Sequence, residues 1–413
     1  MRELLFLAHR IPYPPDKGDK IRSFHLLQHL ARRYRVHLGT FIDDARDWSH
    51  VEHVKKMCGE TCFVALHATR AKLRSLAAFA TGEPLTLRYY RSAGLARWVD
   101  GLLGSRRIER ALVFSSAMAQ YVEGSSADGM RRVLDFVDLD SDKWRQYSRH
   151  KHGPMRWLYR READTLFEFE RRYAAVFDAS LFVSEAEARL FTTQAPEAAA
   201  RVSVVENGVD TEYFSPQRAY PNPYAADEAA LVFTGAMDYW ANVDAVEWFA
   251  REVFPQVRAN FPQARFYIVG TRPTRAVLDL AQLPGVRVTG TVPDTRPYLA
   301  HARAAVAPLR IARGVQNKVL EAMAMARPVV ASSQVVAGVR PCAELLEWSA
   351  DEPETAARLL LKLLREPSTA ALGDALRAHV ARNYSWNENL ARVEAILEGD
   401  TPARSSARAA VSP

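Results

Sequence analysis

The sequence predicts an α/β protein with two Rossmann-like domains, each built around a parallel β-sheet. Two observations support this prediction: short apolar runs alternate with amphipathic segments along most of the chain, and the alternation stops and then restarts. The length of 413 residues also exceeds what one ordinary hydrophobic core serves. Hydrophobic residues make up 48% and charged residues 25% of the chain, which is typical of a globular protein.

Six runs in the first half are short and continuously apolar, as expected for strands that are buried on both faces of a parallel sheet. They are Leu4–Ala8, Val36–Phe41, Phe63–Leu66, Ala111–Phe114, Val133–Phe136 and Ala179–Val183. Helical patterns lie between them. The segment Ile21–Tyr34, for example, places Phe24, Leu27 and Leu30 on one face of a predicted helix.

The pattern restarts after Asn207–Pro223, a segment rich in turn residues. We therefore predict a first domain at residues 1–206 and a second at residues 207–384. The second contains five predicted strands: Leu231–Thr234, Phe266–Val269, Val286–Thr289, Ala304–Ala307 and Pro328–Ala331. The chain then becomes helical without strands, and residues 399–413 are predicted to be a disordered tail.

The segment Ala307–Val330 carries the clearest chemistry. A strand leads into a loop with Arg310, and a helix begins near Gln316 and carries Lys318 and Glu321 on one face. A helix N-terminus suits a diphosphate, a lysine neutralises phosphate charge, and a carboxylate can accept both hydroxyls of a ribose. The alternative is a solvated Lys–Glu pair, worth about 0.2–0.5 kcal/mol, on an ordinary α/β unit.

The segment DFVDLDSDKW, residues 135–144, invites a metal interpretation that its spacing does not support. A calcium loop needs glycine at position 143 and glutamate at 149, where this chain has Lys143 and Arg149. Asp138-Leu-Asp140 also mimics the DxD motif of metal-dependent glycosyltransferases, whose single nucleotide-binding domain conflicts with two sets of strands. We expect no metal site, and we expect Asp138 to line an acceptor cleft at the strand ends.

A basic and aromatic stretch, Lys143–Tyr173, suits a membrane surface or a lipid-linked acceptor. Ala71–Ala80 is a second candidate for an interfacial helix. A solvated helix face is the alternative, and nucleic acid is not expected as a partner because no recognition motif accompanies the charge. The net charge of +7 fits attraction to phosphates of any source.

The absence of several sequence features narrows the expected compartment and the expected reaction class. Its amino terminus has too short an apolar stretch for a signal peptide, and no run reaches the roughly 18 apolar residues of a membrane span. Three scattered cysteines do not form a disulfide framework. We therefore expect a cytoplasmic protein. Dinucleotide, Walker A, GxSxG and HExxH motifs do not occur.

Several segments together resemble the donor domain of glycosyltransferase family 4. They are VVENGVDTEYFSP, FTGAMDYWANVDAVEWF, FYIVGTRP, VRVTGTVPDTRPYLAHARAAVAPL and GVQNKVLEAMAMARPVV, which span roughly residues 202–340 in the family's order. PYPPDKGDKIRSFHLLQHL and DFVDLDSDKW resemble a narrower group, the sugar transferases associated with exosortase (PEP-CTERM) systems in exopolysaccharide-producing bacteria.

The resemblance implies a GT-B fold, in which two Rossmann-like domains with parallel sheets face each other across a cleft. The first domain would bind acceptor and the second the nucleotide sugar, while a helix at residues 385–398 returns to the first domain. The implied function is a retaining hexosyltransferase (EC 2.4) that needs no cofactor or metal. It would use a nucleotide diphosphate sugar and a glycan or polyprenyl-linked acceptor in exopolysaccharide synthesis, in the cytoplasm or at the inner face of the cytoplasmic membrane.

Residue roles follow from the resemblance. Glu321 corresponds to the second glutamate of the family's E-x7-E motif, which binds the donor ribose, and Lys318 lies near the phosphates with Arg310 as a further catalytic candidate. The remaining donor-site candidates are Gly235, Asp238, Arg272, Val292, Arg313, Gly314, Gln316 and Asn317. The candidates for the acceptor side are Lys17, Gly18, Asp19, Arg22 and Asp138, where a plain turn with Asp19 as helix N-cap is the alternative.

One departure concerns the donor sugar. The first glutamate of the E-x7-E motif would stand at position 313, where this chain has Arg313. Two other functions therefore stay open: a nucleotide-sugar 2-epimerase on the same fold, and a non-catalytic, membrane-associated nucleotide-binding protein. Product analysis with donor alone identifies an epimerase, and nucleotide binding without turnover identifies a binding protein.

Overall fold

A computed structural model describes residues 2–15, 18–123, 129–149, 151–312, 314–366 and 368–400. The chain divides into two compact units. The first unit combines the chain up to Val205 with the segment from Asn387 onward, and the second comprises Glu206–Trp386. The predicted positions Lys17 and Arg313, and the tail from residue 401, lie outside the described residues.

The first unit contains a seven-stranded sheet in the order β3-β2-β1-β4-β5-β6-β7, in which every pair of neighbours is parallel. Its strands are β1 Arg2–Ala8, β2 Tyr34–Ile42, β3 Thr61–Ala65, β4 Arg110–Phe114, β5 Arg131–Val137, β6 Ala179–Phe182 and β7 Val202–Val204. Sequence analysis missed β7, because Ser203 interrupts its apolar run, whereas the equally short β12 is continuously apolar.

The second unit contains a five-stranded parallel sheet in the order β10-β9-β8-β11-β12. Its strands are β8 Ala229–Thr234, β9 Ala264–Val269, β10 Val286–Gly290, β11 Ala304–Ala307 and β12 Val329–Ala331. The predicted α/β class with two parallel sheets is confirmed. Each sheet has its own cluster of buried side chains, as expected for two separate hydrophobic cores.

Helices alternate with the strands in both units. In the first unit they are Gly18–Leu30, Val51–Lys55, Ala68–Ser75, Ala78–Thr81, Leu85–Tyr89, Ala93–Ser105, Asp140–Arg149, Gly153–Val176 and Glu185–Gln194. In the second they are Trp240–Trp248, Phe254–Asn260, Arg275–Asp279, Arg296–His301, Asn317–Ala324, Ser333–Ala337, Ala343–Leu346, Pro353–Arg365 and Ala370–Asn383. A last helix, Trp386–Glu398, crosses the boundary between the units.

The first helix differs from its prediction, Ile21–Tyr34, at both ends. It begins at Gly18 and ends at Leu30, and Tyr34 is the first residue of β2. Between these elements the chain turns with hydrogen bonds between residues three apart, from Arg32 N to His29 O and from Arg33 N to Leu30 O. The apolar spacing of Leu30 and Tyr34 continued the helical pattern, and this explains why the prediction extended too far.

The carboxyl-terminal helix is bound to the first unit by charged contacts. The Glu398 carboxylate accepts hydrogen bonds of 2.6 Å from both Arg2 and Arg110. The Glu394 carboxylate lies 3.0 Å from His29 and 2.9 Å from Arg33. Within the described residues, no helix is both long and apolar enough to span a bilayer.

A buried ion pair connects the first helix with the sheet of the first unit. Arg22 donates from Nε to Asp135 at 2.8 Å and from Nη1 to the carbonyl of Val205 at 2.9 Å. Both side chains of the pair are almost completely buried. The helix Gly18–Leu30 is therefore held against the strand that carries Asp135 by groups that water does not screen.

The substitution Arg22→Ala tests this pair. We expect the free energy of unfolding of the first unit to fall by about 3–5 kcal/mol, because the Asp135 carboxylate would stay buried without its partner. Urea denaturation followed by circular dichroism measures the change. The matched control is Arg46→Ala, since Arg46 pairs with Asp44 but its side chain is 74% exposed, and there we expect a loss below about 1 kcal/mol. Equal small losses in both variants would contradict the role of the buried pair.

Candidate functional site

Four loops of the second unit meet at one edge of its sheet. They follow β8, β9, β10 and β11, which are adjacent and parallel, so their carboxyl ends point the same way. Ligands of open α/β sheets bind at this edge. The predicted donor-site residues follow these strands: Gly235 and Asp238 follow β8, Arg272 follows β9, Val292 follows β10, and residues 310–321 follow β11.

Lys318 lies at the centre of this edge. Its Nζ donates to Oδ1 of Asn242 at 2.6 Å and lies 4.6 Å from the centre of the Phe233 ring. Asn242 is itself buried and donates from Nδ2 to the carbonyl of Ala236 at 2.9 Å. The ammonium group is therefore positioned by an amide that is fixed to the loop after β8. Sequence analysis did not single out Asn242, because its contact with Lys318 spans 76 residues.

The charged forms of Lys318 and Glu321 are both disfavoured. Burial lowers the pKa of Lys318 to about 7, although the Glu321 carboxylate acts in the opposite direction. Burial likewise raises the pKa of Glu321 to about 7, against the effect of Lys318. Both side chains retain partial solvent exposure, which limits the size of these shifts but not their direction. A ligand with negative charge for Lys318 and hydroxyl donors for Glu321 would stabilise both charged forms.

Two glycines bring the backbone close to this site. Gly235 has φ 156°, and a Cβ there would lie 2.9 Å from Nδ2 of Asn242 and 3.4 Å from Cε of Lys318. A Cβ on Gly270 would lie 1.6 Å from the carbonyl oxygen of Gly235. Only glycine fits at position 270, and the loops after β8 and β9 touch there. Sequence analysis missed Gly270, although a glycine directly after an apolar strand was the available signal.

The loops after β8 and β9 are also joined by hydrogen bonds and an ion pair. Met237 N donates to Thr271 O at 2.8 Å. Arg272 lies with its Nε 2.9 Å from the Asp238 carboxylate and has φ 51°, which is unusual for a residue with a side chain. The structure thus brings Asp238 and Arg272 together as partners, so each orients the other.

Arg310 also forms an ion pair at this edge. Its Nε donates to Asp244 at 3.0 Å, and its Nη2 contacts the other oxygen of the same carboxylate. The hydrogen bond with Asp244 raises the pKa of Arg310. Because Asp244 and Asn242 belong to the helix Trp240–Trp248, one helix positions the side chains of both Arg310 and Lys318.

The loop before Lys318 is shaped by small residues. Gly314 has φ 55°, and a Cβ on Gly338 would lie 2.3 Å from the carbonyl oxygen of Gly314. Gln316 is the N-cap of the helix Asn317–Ala324, and Oδ1 of Asn317 accepts a long hydrogen bond of 3.5 Å from Asn207. This helix therefore begins one residue after its predicted start near Gln316.

Sequence analysis did not identify a cation–π pair, Arg296 and Tyr213, that lies near Glu321. The guanidinium carbon of Arg296 lies 3.6 Å from the centre of the Tyr213 ring, and Arg296 also donates to the carbonyl of Tyr213 at 3.2 Å. Burial raises the pKa of Tyr213, and the Glu321 carboxylate contributes to the rise. Val292, at the end of β10, packs partly buried against the core of this unit.

In the first unit, Asp19 lies in a network of ionic contacts after β1 and β2. It accepts a hydrogen bond from Arg10 at 2.5 Å and lies 3.3 Å from Nε2 of His9, while Arg10 also contacts Asp43 at 2.8 Å. Burial alone would raise the pKa of Asp19, but His9 and Arg10 lower it well below its usual range. Gly18 is the first residue of the adjoining helix, so Asp19 belongs to the helix rather than preceding it as an N-cap.

Two acceptor-side candidates differ in their surroundings. Arg22 is buried inside the first unit and paired with Asp135, and its predicted role on the acceptor side stays a prediction. Asp138 lies just after β5 and is partly exposed. Burial raises the pKa of Glu187 to about 7, and the negative charge of Asp138 adds to this rise. Val137, just before it, has φ 67°, a strained value for a β-branched residue. Among the described side chains no group of three or more potential ligands could hold a metal ion.

The pH dependence of stability tests the burial of Glu321. Its pKa is 4.5 in an exposed state and about 7 in the folded protein. Between these values the folded state holds the extra proton, so the free energy of unfolding falls as pH rises from 4.5 to 7. Glutamine does not titrate, and we expect Glu321→Gln to gain about 1–3 kcal/mol over wild type between pH 4.5 and 7.5.

Urea denaturation at the two pH values measures this difference. The matched control is Glu347→Gln, since Glu347 is exposed in the same unit and is expected to show no such gain. A gain in Glu321→Gln that does not depend on pH would show that burial does not perturb this carboxylate.

Comparison with known proteins places this edge in a recognised domain. The family model for glycosyl transferases group 1 matches residues 228–366, which include Gly235, Asn242, Gly270, Lys318 and Glu321. No curated protein sequence matches the chain.

Several solved structures share the fold over nearly the whole chain. HepE (Alr3699) of Anabaena in complex with UDP is 13% identical with a TM-score of 0.63, covering 96% of this chain and 100% of its own. WaaG, a glycosyltransferase involved in lipopolysaccharide biosynthesis, is 14% identical with a TM-score of 0.64 over 96% and 100% of the two chains. A variant of S. aureus TarM in complex with fondaparinux, α-GlcNAc-glycerol and UDP is 10% identical, with a TM-score of 0.65 over 96% and 100%. The chain therefore has the GT-B fold, and its residues 228–366 match the group 1 glycosyltransferase model.

Proposed function

We propose that this protein is a glycosyltransferase that moves a sugar from a nucleotide diphosphate sugar to a glycan or polyprenyl-linked acceptor. The observation that carries the proposal is the pair Lys318 and Glu321, whose pKa values are shifted toward each other by burial at the carboxyl edge of the second sheet. Shifted groups of this kind cluster at functional sites. The group 1 glycosyltransferase match over residues 228–366 and the GT-B fold support the same function.

The donor would be bound by the strand-end loops of the second unit. The start of the helix Asn317–Ala324 offers backbone N–H groups to the diphosphate, and Lys318 neutralises its charge. Glu321 accepts hydrogen bonds from the ribose hydroxyls. Gly235 and Gly270 let the backbone approach the phosphates without a side chain between them.

Catalysis would consist of positioning and of stabilising the leaving group. The bond between the anomeric carbon and the phosphate oxygen breaks, and the acceptor oxygen forms the new bond on the same face of the sugar. The acceptor proton passes to the departing phosphate. Lys318 stabilises the charge that grows on that phosphate. Arg310 and Arg272 would assist from within their ion pairs with Asp244 and Asp238.

The finer assignments rest on the resemblance of the amino-terminal segments. We infer a retaining hexosyltransferase that needs no metal, acts in exopolysaccharide synthesis, and works in the cytoplasm or at the inner face of the cytoplasmic membrane. Asp19 and Asp138 are the candidates to meet an acceptor, since both lie at the carboxyl edge of the first sheet. HepE and TarM were solved with UDP, which makes uridine nucleotides the first donors to test.

Nucleotide binding is the first consequence to measure. We expect one nucleoside diphosphate from a panel to raise the thermal midpoint in the presence of EDTA, because ligands that bind only the folded state stabilise it. Glu321→Ala is expected to lose this rise, because the ribose contact is removed. The matched control Glu347→Ala, with an exposed glutamate of the same unit, should respond like wild type. A folded wild type that responds to no nucleotide would contradict the donor site.

Turnover separates the remaining functions. With the nucleotide sugar that binds best and an acceptor extract, chromatography should show release of nucleoside diphosphate and a glycosylated product. Formation of an epimerised sugar from the donor alone would show that the protein is an epimerase and not a transferase. Binding of the nucleotide sugar without formation of a product from any acceptor tested would favour a non-catalytic binding protein.

A further inference from the structure

The first unit carries an exposed apolar patch built from two segments that are far apart in sequence. One segment runs from residue 68 to 81, and the other is the start of the helix Gly153–Val176. Leu73 is 70% and Trp157 is 60% exposed, values that are unusual for large apolar side chains. We call the following five side chains the apolar patch: Leu73, Leu76, Phe79, Met155 and Trp157.

Local backbone geometry aligns the members of the first segment. Leu76 N donates to Leu73 O at 3.2 Å, and Phe79 N donates to Leu76 O at 3.1 Å. Bonds between residues three apart give about three residues per turn, so Leu73, Leu76 and Phe79 stand in one row. The Trp157 ring stacks on the Phe79 ring at 5.9 Å and 11°, which continues the row onto the second segment.

Polar contacts connect the helix Gly153–Val176 with the first segment and with the residues that follow it. Nη2 of Arg161 donates to the carbonyls of Ala78 at 2.9 Å and Glu83 at 3.1 Å, and its guanidinium lies 5.0 Å from the Phe79 ring. The buried Glu162 carboxylate accepts from the backbone N–H groups of Leu85 and Thr86. The patch is thus a preformed surface, and its exposure does not come from a loosely attached helix.

Only positive charge surrounds the apolar patch along the chain. Residues 61–82 and 143–161 contain no aspartate or glutamate. The exposed lysine and arginine side chains are Arg70, Lys72, Arg74, Arg149, Lys151, Arg156 and Arg160. Large apolar side chains flanked by lysine and arginine are typical of surfaces that insert into the boundary between lipid headgroups and acyl chains.

We propose that the apolar patch and its basic flanks dock this protein on a membrane that contains anionic lipids. Phe79 and Trp157 offer ring faces on which bases could stack, but the other three members, Leu73, Leu76 and Met155, are aliphatic and suit acyl chains rather than bases, which favours a membrane over nucleic acid. A second copy of the chain would bring the same positive charges together, which disfavours self-association. This surface is where the membrane contact in the proposed function would occur. The docking proposal does not depend on whether the protein transfers sugars.

Vesicle flotation tests the docking surface with the full chain. Wild type is expected to bind phosphatidylglycerol–phosphatidylcholine vesicles at least about tenfold more tightly than phosphatidylcholine vesicles, and high salt should weaken this binding. The double variant Leu73→Ser with Leu76→Ser should lose binding at least about tenfold. Its matched control is Leu278→Ser with Leu346→Ser, since these leucines are exposed in the second unit.

Charge is tested separately. Arg70→Gln, Lys72→Gln and Arg156→Gln together should remove the preference for anionic vesicles. Arg107→Gln, Arg189→Gln and Arg275→Gln remove three exposed arginines elsewhere and should leave it unchanged. Thermal melting and nucleotide binding of each variant report folding and the donor site independently, so failure of the surface is distinguished from failure of the proposed function.

Three results would overturn the proposal: wild type that does not float with anionic vesicles, leucine variants that float like wild type, or a single-stranded oligonucleotide that binds the same surface more tightly than vesicles do.

Discussion

The candidate donor site depends on one constraint, the close burial of the Lys318 ammonium group among strand-end loops. Glycine at 235 and 270 lets the loops after β8 and β9 approach, and Asn242, which is bonded to the loop after β8, fixes the ammonium group. Burial without a full counter-charge costs stability, and it shifts the pKa of Lys318 and of Glu321 toward neutrality. Such a cost is expected where a ligand, rather than the fold, supplies the missing charge.

Much of the fold follows from the sequence because parallel strands buried on both faces leave continuous apolar runs. Each of the eleven runs predicted from Leu4–Ala8 to Pro328–Ala331 overlaps a strand of the structure, and the restart of the pattern indicates the second sheet. The strand Val202–Val204 was missed because Ser203 interrupts its apolar run. The end of the first helix was misplaced because Tyr34 keeps the helical spacing although it begins a strand.

The site itself was only partly predictable. Residues close to one another in sequence, such as Gly314, Lys318 and Glu321, could be proposed as site residues because their spacing at a helix start has chemical meaning. Asn242 and Gly270 could not, because their role lies in contacts with residues that are far along the chain. The ion pair of Arg22 with Asp135 was not predictable for the same reason, because the two residues are 113 positions apart. The stacking of Phe79 on Trp157 likewise joins segments that composition alone leaves separate.

Calorimetric proton counting tests the central claim most directly. At pH 8 Lys318 is mostly neutral in the free protein, because its pKa is about 7, and a bound diphosphate should restore its charge. Titration of the best-binding nucleoside diphosphate in two buffers with different ionisation enthalpies should therefore show uptake of about half to one proton per site. Uptake should vanish in Lys318→Ala and persist in Lys362→Ala, a lysine of the same unit that stacks on Trp348 instead. Binding that takes up no proton, or uptake that survives in Lys318→Ala, would contradict the account.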